Sequence, residues 1–239
     1  MSTTVEQLKV KIFADGADVK GMAEMARQPW IGGFTTNPTL MRKVGITDYE
    51  KFAKEVLETV RGLPISFEVF ADDFSEMERQ ARKIASWGSN VYVKIPVTNT
   101  KAEPTVEVVR RLAGEGVKLN VTALMTLEQV AAVADAVSKG PESYISVFAG
   151  RIADTGRDPV PLMTAALALM KKAPKSELIW ASPRELLNIF QADAIGCHVI
   201  TVTNDILGKL KLVGKSLDKY SLETVEMFFN DGKASGFNL

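Results

Sequence analysis

Short runs of β-branched and aromatic residues recur along the chain, each followed by a longer stretch in which apolar residues return every three or four positions. The runs begin near Val10, Ile31, Pro64, Val91, Lys118, Tyr144, Glu177 and Cys197. Each predicts a strand buried on both faces, as in a parallel sheet. The intervening periodicity predicts helices over residues 17–26, 49–60, 74–86, 103–113, 127–137, 161–172, 183–192 and 205–212. Asp73 and Thr126 suit N-caps, and Asp158-Pro159 and Ser182-Pro183 each place a cap residue before an N1 proline. Eight strand–helix units in succession predict a closed (β/α)8 TIM barrel rather than an open sheet. No Pro/Gly/Ser-rich linker interrupts them, so residues 1–239 read as one domain with 215–239 as a C-terminal helical tail. Within the tail a helix is expected over 222–229. Phe228, Phe229 and Phe237 make it too apolar to lie free, and packing on its own barrel is expected before crossing to a neighbouring subunit.

Composition narrows the functional classes. Hydrophobic residues make up 46% and charged residues 24%, as in an ordinary globular protein. The 29 basic and 29 acidic residues cancel, so no strong overall field draws the chain to nucleic acid or membrane. No apolar run approaches the ~18 residues of a membrane span, and residues 1–7 lack a signal-peptide pattern, so a cytoplasmic location is expected. One cysteine, Cys197, excludes an intramolecular disulfide framework, and one histidine, His198, leaves little for zinc or a His-dependent triad. Both lie in the apolar eighth run and read as a buried thiol and a satisfied core imidazole. Asp72-Asp73 reads as a helix cap, and residues 151–158, beyond Arg151 itself, as an exposed loop.

The fourth run, Val91-Tyr92-Val93-Lys94-Ile95-Pro96-Val97, holds one lysine in an otherwise apolar strand. Burial disfavours the charged form and can lower a lysine pKa from about 10.4 toward about 5–6, giving an amine able to attack a ketone. The alternative is that Lys94 snorkels to water or pairs with a carboxylate. Polar residues recur at the other strand ends: Asp15, Thr35-Thr36-Asn37, Glu68, Asn120, Thr122, Ser146, Arg151, Ser182 and Arg184. In a barrel of this kind the carboxyl ends of the strands form the site, and so many polar groups at one level imply a shared cavity.

These residues carry a resemblance. Thr35-Thr36-Asn37-Pro38-Thr39-Leu40 and Val93-Lys94-Ile95-Pro96 resemble the transaldolase motifs. So do Asn120-Val121-Thr122, Ile145-Ser146-Val147-Phe148-Ala149-Gly150-Arg151 and Ala181-Ser182-Pro183-Arg184. The chain is similar to the small-subunit transaldolases, a subfamily that also includes fructose 6-phosphate aldolases. The resemblance implies a metal-free, cofactor-free Schiff-base enzyme acting on sugar phosphates. Lys94 would be the nucleophile, Asp15 the proton carrier for the C4 hydroxyl, and Glu68 and Thr122 the holders of a water. Asn37 and Asn120 would bind the dihydroxyacetone unit, Ser146 a donor hydroxyl, and Arg151, Ser182 and Arg184 the terminal phosphate, with backbone donors from a helix starting at Pro183.

Asp15 also suits an N-cap, Glu68 an ion pair with Lys94, and Asn37 the turn before Pro38. The aldolase branch resembles this chain less closely, because it typically carries tyrosine at the Phe148 position and glutamine at the Glu68 position. The resemblance thus implies transfer of dihydroxyacetone between a ketose phosphate and an aldose phosphate in the pentose phosphate pathway. Aldolase-type cleavage and a modified, for example sulfonated, sugar are the alternatives. Ser182-Pro183-Arg184 and Thr203-Asn204-Asp205 depart from the family pattern and bear on specificity. Small family members assemble into rings and decamers, which implies a homo-oligomer.

Overall fold

A computed structural model describes residues 5–236. Eight parallel strands close into a barrel in chain order: β1 (Lys11–Asp15), β2 (Ile31–Thr35), β3 (Ile65–Glu68), β4 (Val91–Pro96), β5 (Leu119–Leu124), β6 (Tyr144–Val147), β7 (Glu177–Trp180) and β8 (Val199–Thr203), which pairs back to β1. Every strand starts within two residues of its predicted position. The helices are α1 (Val19–Met25), α2 (Pro38–Lys43), α3 (Tyr49–Val60), α4 (Phe74–Ala85), α5 (Val106–Gly114), α6 (Leu127–Val137), α7 (Ala149–Asp154), α8 (Pro159–Leu169), α9 (Leu187–Ala194), α10 (Asn204–Leu207) and α11 (Leu217–Ala234). Strand residues that point outward, among them Phe34, Val93, Val121 and Leu178, are buried against the helices in one continuous core.

Residues that point inward behave differently along each strand. Toward the amino ends they are large and apolar: Phe13, Tyr92, Tyr144, Ile179 and Val199 pack together inside the barrel. Tyr144 meets Phe13 edge-on at 5.4 Å and Tyr92 at 4.4 Å between ring centroids. Phe13 fits because Gly33 faces it; a Cβ there would lie 2.7 Å from the ring. Two residues further along these strands come Asp15, Lys94, Ser146, Ala181 and Thr201, where the barrel opens.

Local chemistry accounts for the helix starts. Asp73 caps α4, Thr126 closes a capping box on α6, and Asp158 caps α8 ahead of Pro159. Asp72 has a different role, accepting from the backbone N–H and hydroxyl of Thr100. Cys197 is buried, and burial pushes its thiol up to about 12; His198 Nδ1 accepts from the N–H of Leu178 at 3.0 Å.

Four expectations require correction. Ser182-Pro183 does not start a helix: Ser182 adopts a left-handed φ of 58°, and α9 begins at Leu187. The stretch after Arg151 is not an exposed loop as far as Asp154, because α7 runs through it and buries Ile152. The eighth helix is two pieces, α10 and a 3-10 turn over Leu210–Leu212. Finally, α11 is longer than expected and does not pack on its own barrel. None of its residues is buried, and Leu222, Val225, Phe228 and Phe229 are each more than half exposed; Phe237 lies outside the described residues.

Candidate active site

A cavity of about 510 Å³ opens at the carboxyl ends of the strands. Its lining includes Asp15, Asn37, Glu68, Lys94, Thr122, Ser146, Phe148, Arg151, Ser182 and Arg184, so every residue to which the resemblance gives a part, except Asn120, converges there. Asn120 does not line it. That residue lies one layer below, fully buried, donating to Ser66 Oγ at 2.9 Å and accepting from Ser146 Oγ at 2.7 Å. Its amide thereby fixes the hydroxyl that does face the cavity.

Lys94 projects into the barrel from the middle of β4 and is buried. Its Nζ donates to the carbonyl of Thr36 at 3.0 Å and lies 3.5 Å from Glu68 Oε2. The register pairs Lys94 with Glu68 on β3 and with Asn120 on β5, which is why these residues meet. Burial raises the Glu68 carboxyl above its ordinary range, against the attraction of Lys94, and the charge of Asp15 adds to the rise. Asp15 is raised for the same first reason, opposed by Lys94, Thr35 and Asn37. Two carboxylates held partly toward their protonated forms beside an amine make a site equipped to move protons.

Asp15 is held from two sides. Thr35 Oγ1 donates to its Oδ1 at 2.7 Å, and Asn37 Nδ2 donates to its Oδ2 at 3.2 Å. The N-cap of α1 is Asp18, which leaves Asp15 free of that duty. Asn37 has two tasks, because its Oδ1 also accepts from Leu40 N and caps α2, a helix absent from the sequence expectations. Thr122 Oγ1 is buried and has no hydrogen-bond partner among the described residues.

The rim is shaped by backbone. Four non-glycine residues have positive φ among the described residues, and two of them, Ala123 and Ser182, line the cavity. Such conformations cost about 1–3 kcal/mol each and concentrate at functional sites. Ser182 can turn this way because Gly150 leaves room: a Cβ at Gly150 would stand 1.5 Å from the Ser182 carbonyl oxygen. The close approach brings Arg151 on α7 and Arg184 after β7 to one rim. The N–H groups of Arg184 and Glu185 do not face the cavity as free helix-start donors; both donate to Asn188 Oδ1. The Arg184 guanidinium pairs with Asp154.

Sequence reasoning misses the lining residue Thr201 and meets Thr203 and Asp205 only as departures from the family pattern. Thr201 Oγ1 lies 2.5 Å from Thr35 Oγ1, and Asp205, held below its ordinary range chiefly by the Thr203 hydroxyl, faces the cavity with Thr203. Thr201 could have been found, since it is polar, points inward and follows Val199 by two. Among the described residues no group of three or more His, Cys, Asp or Glu side chains is arranged to hold a metal, and no helix is long and apolar enough to cross a membrane.

Comparison with known proteins gives a consistent picture. The family described as transaldolase/fructose-6-phosphate aldolase matches residues 12–239. A "Probable transaldolase" of Thermoanaerobacter sp. is 33% identical over 231 residues, covering 96% of this chain and all of the relative. Another from Lactiplantibacillus plantarum is 35% identical over 202 residues, covering 84% and 88%. Among solved structures, a candidate dihydrodipicolinate synthase family protein from Coccidioides immitis superposes with a TM-score of 0.55 at 12% identity, over 80% of this chain and 66% of that one. At that identity the likeness concerns the fold.

Proposed function

The chain belongs to the transaldolase/fructose-6-phosphate aldolase family, and from that premise we propose that it is a transaldolase that moves a dihydroxyacetone unit between sugar phosphates on Lys94. The observation that carries the reading is the placement of a buried amine between Glu68 and the Thr36 carbonyl, in a polar cavity shared with Asp15 at the mouth of the barrel. Binding alone needs no such amine.

In the proposed cycle Lys94 attacks the C2 carbonyl of a ketose phosphate, most simply fructose 6-phosphate, and the carbinolamine loses water to give an iminium. Glu68 and Thr122 hold that water and its protons; the unpartnered Thr122 hydroxyl supports this role. Asp15 takes the proton of the C4 hydroxyl, the C3–C4 bond breaks, and its electron pair enters the iminium to form an enamine as glyceraldehyde 3-phosphate leaves. The enamine then adds to the carbonyl of erythrose 4-phosphate, and Asp15 returns the proton. Hydrolysis frees sedoheptulose 7-phosphate and the amine. Asn37 and Ser146, the latter fixed by Asn120, orient the three-carbon unit. Arg151 and Arg184, with Ser182, receive the phosphate.

Phe148 favours transfer over release. A phenyl ring packed against the inner apolar cluster can neither order nor activate a water near the enamine. The bare face of α11 supports a homo-oligomer in which this helix packs on a second copy.

The test compares two rates with fructose 6-phosphate: formation of sedoheptulose 7-phosphate with erythrose 4-phosphate present, and release of free dihydroxyacetone without it. Transfer should dominate, and Phe148→Tyr should raise release. Release equal to transfer in the unmodified protein would make it an aldolase, and silence with this donor but turnover of a sulfonated ketose would reassign the substrate.

A further inference from the structure

The end of strand β2 leaves a gap in the barrel ladder, and a side chain from outside the cavity fills it. Strands β2 and β3 are joined by Phe34 N–H to Pro64 O at 2.8 Å and Thr36 N–H to Ser66 O at 3.2 Å. In a parallel ladder the next rungs would be Glu68 N–H to the Thr36 carbonyl, then the N–H of residue 38 to the Glu68 carbonyl. Neither forms. Residue 38 is proline, which has no N–H, and the Thr36 carbonyl accepts from Lys94 Nζ instead.

Both orphaned groups of Glu68 are taken by one hydroxyl. Glu68 N–H donates to Tyr49 Oη at 2.8 Å, and Tyr49 Oη donates to the Glu68 carbonyl at 3.1 Å. Tyr49 stands at the first position of α3, outside the barrel, and does not line the catalytic cavity. Its ring is wedged against Phe67, Phe70 and Trp87, with centroids 6.1, 4.7 and 5.4 Å away. The hydroxyl is thus fixed by packing, and burial pushes it above its ordinary pKa, so it stays a donor.

We propose that Tyr49 is a positioning residue for the Schiff-base lysine: by satisfying Glu68 in place of the missing β2 rung, it keeps the Thr36 carbonyl available to Lys94 and holds Glu68 at the ammonium. Without the hydroxyl, the Glu68 N–H turns to the nearest acceptor that ladder geometry offers, the Thr36 carbonyl, and competes with Lys94 for it. The role rests on the transaldolase reading above.

Tyr49→Phe keeps the ring and removes the hydroxyl. With fructose 6-phosphate and erythrose 4-phosphate, it is expected to lower kcat about 10- to 100-fold, the scale of a sub-ångström to 1 Å misplacement of a reacting group, and to leave KM within about twofold. Val56→Ala opens a cavity beneath α3 two turns beyond Tyr49 and leaves the tyrosine ring contacts in place; it should lower the melting temperature and leave kcat unchanged. A kcat for Tyr49→Phe within twofold of wild type, a KM that rises in step with the loss, or an equal kcat loss in Val56→Ala would each overturn the proposal. Wild-type protein that neither turns over nor traps a ketose on Lys94 would instead overturn the reaction itself, and this role with it.

Discussion

The floor and the mouth of this barrel are built on the same strands, two residues apart, and they obey different rules. Phe13, Tyr92, Tyr144, Ile179 and Val199 face inward at the floor; Asp15, Lys94, Ser146, Ala181 and Thr201 face inward at the mouth. At the floor, stability is gained by filling space with aromatic and branched side chains. At the mouth the same inward direction carries buried charges, two raised carboxyl groups, an unpartnered hydroxyl and two strained backbone positions. Each of those costs stability, and in the proposed reaction each has a task that repays it. The pleat supplies the geometry for both, since residues i and i+2 share a face.

Substitutions on one strand break the comparison most directly. Lys94→Met is expected to abolish transfer, by at least about 10⁴-fold, because among the described residues no other lysine lines the cavity to replace the nucleophile; the barrel should still melt cooperatively. Two residues earlier, Tyr92→Ala should leave about 3 kcal/mol less stability from a cavity in the floor, read as a lower denaturation midpoint with unchanged kcat in the surviving folded protein. If Tyr92→Ala lost activity as deeply as Lys94→Met, the division between floor and mouth would be wrong.

A smaller effect separates chemistry from stability at the mouth itself. Burial outweighs the pull of Lys94 and keeps the Asp15 carboxyl above its ordinary range, so the folded protein binds that proton more tightly than the unfolded chain does. Stability from this group is therefore present at low pH and lost as pH rises through the raised value. Asparagine has no proton to lose. Asp15→Asn should melt above wild type at pH 8, with the gap closing below about pH 4, the ordinary aspartate range, while activity collapses. A lower melting temperature for the variant at pH 8 would reverse the sign and refute the assignment.

The smallest effect on the protomer is expected outside the barrel. Phe228 on α11 is 64% exposed, so Phe228→Glu should change protomer stability by no more than about 0.5 kcal/mol. The same change should reduce the assembly seen by light scattering if α11 packs on a second copy. An unchanged assembly, or a monomer in the unmodified protein, would remove that role.

What the sequence revealed follows the same division. The strands were legible because doubly buried strands are almost uniformly apolar, and Lys94 was legible because it interrupts one of them. Asp15, Glu68 and Thr122 were legible as polar residues at strand ends. Tyr49 was not, because its significance lies in a missing rung between two strands that the sequence does not show. Ser182-Pro183 was misread as a helix start because the preference for such a cap is local, whereas the left-handed turn depends on Gly150 in another segment. The bare face of α11 was misread for a related reason: an apolar periodicity states that a face will be covered, not by what.

The central claim, that Lys94 carries the substrate, is tested most directly by borohydride reduction in the presence of fructose 6-phosphate, followed by intact mass and peptide mapping. The account predicts one reduced three-carbon adduct on the peptide containing Lys94, absent in Lys94→Met, and lost when erythrose 4-phosphate is added before the reductant. An adduct on another lysine, or turnover with no reducible adduct, would contradict it.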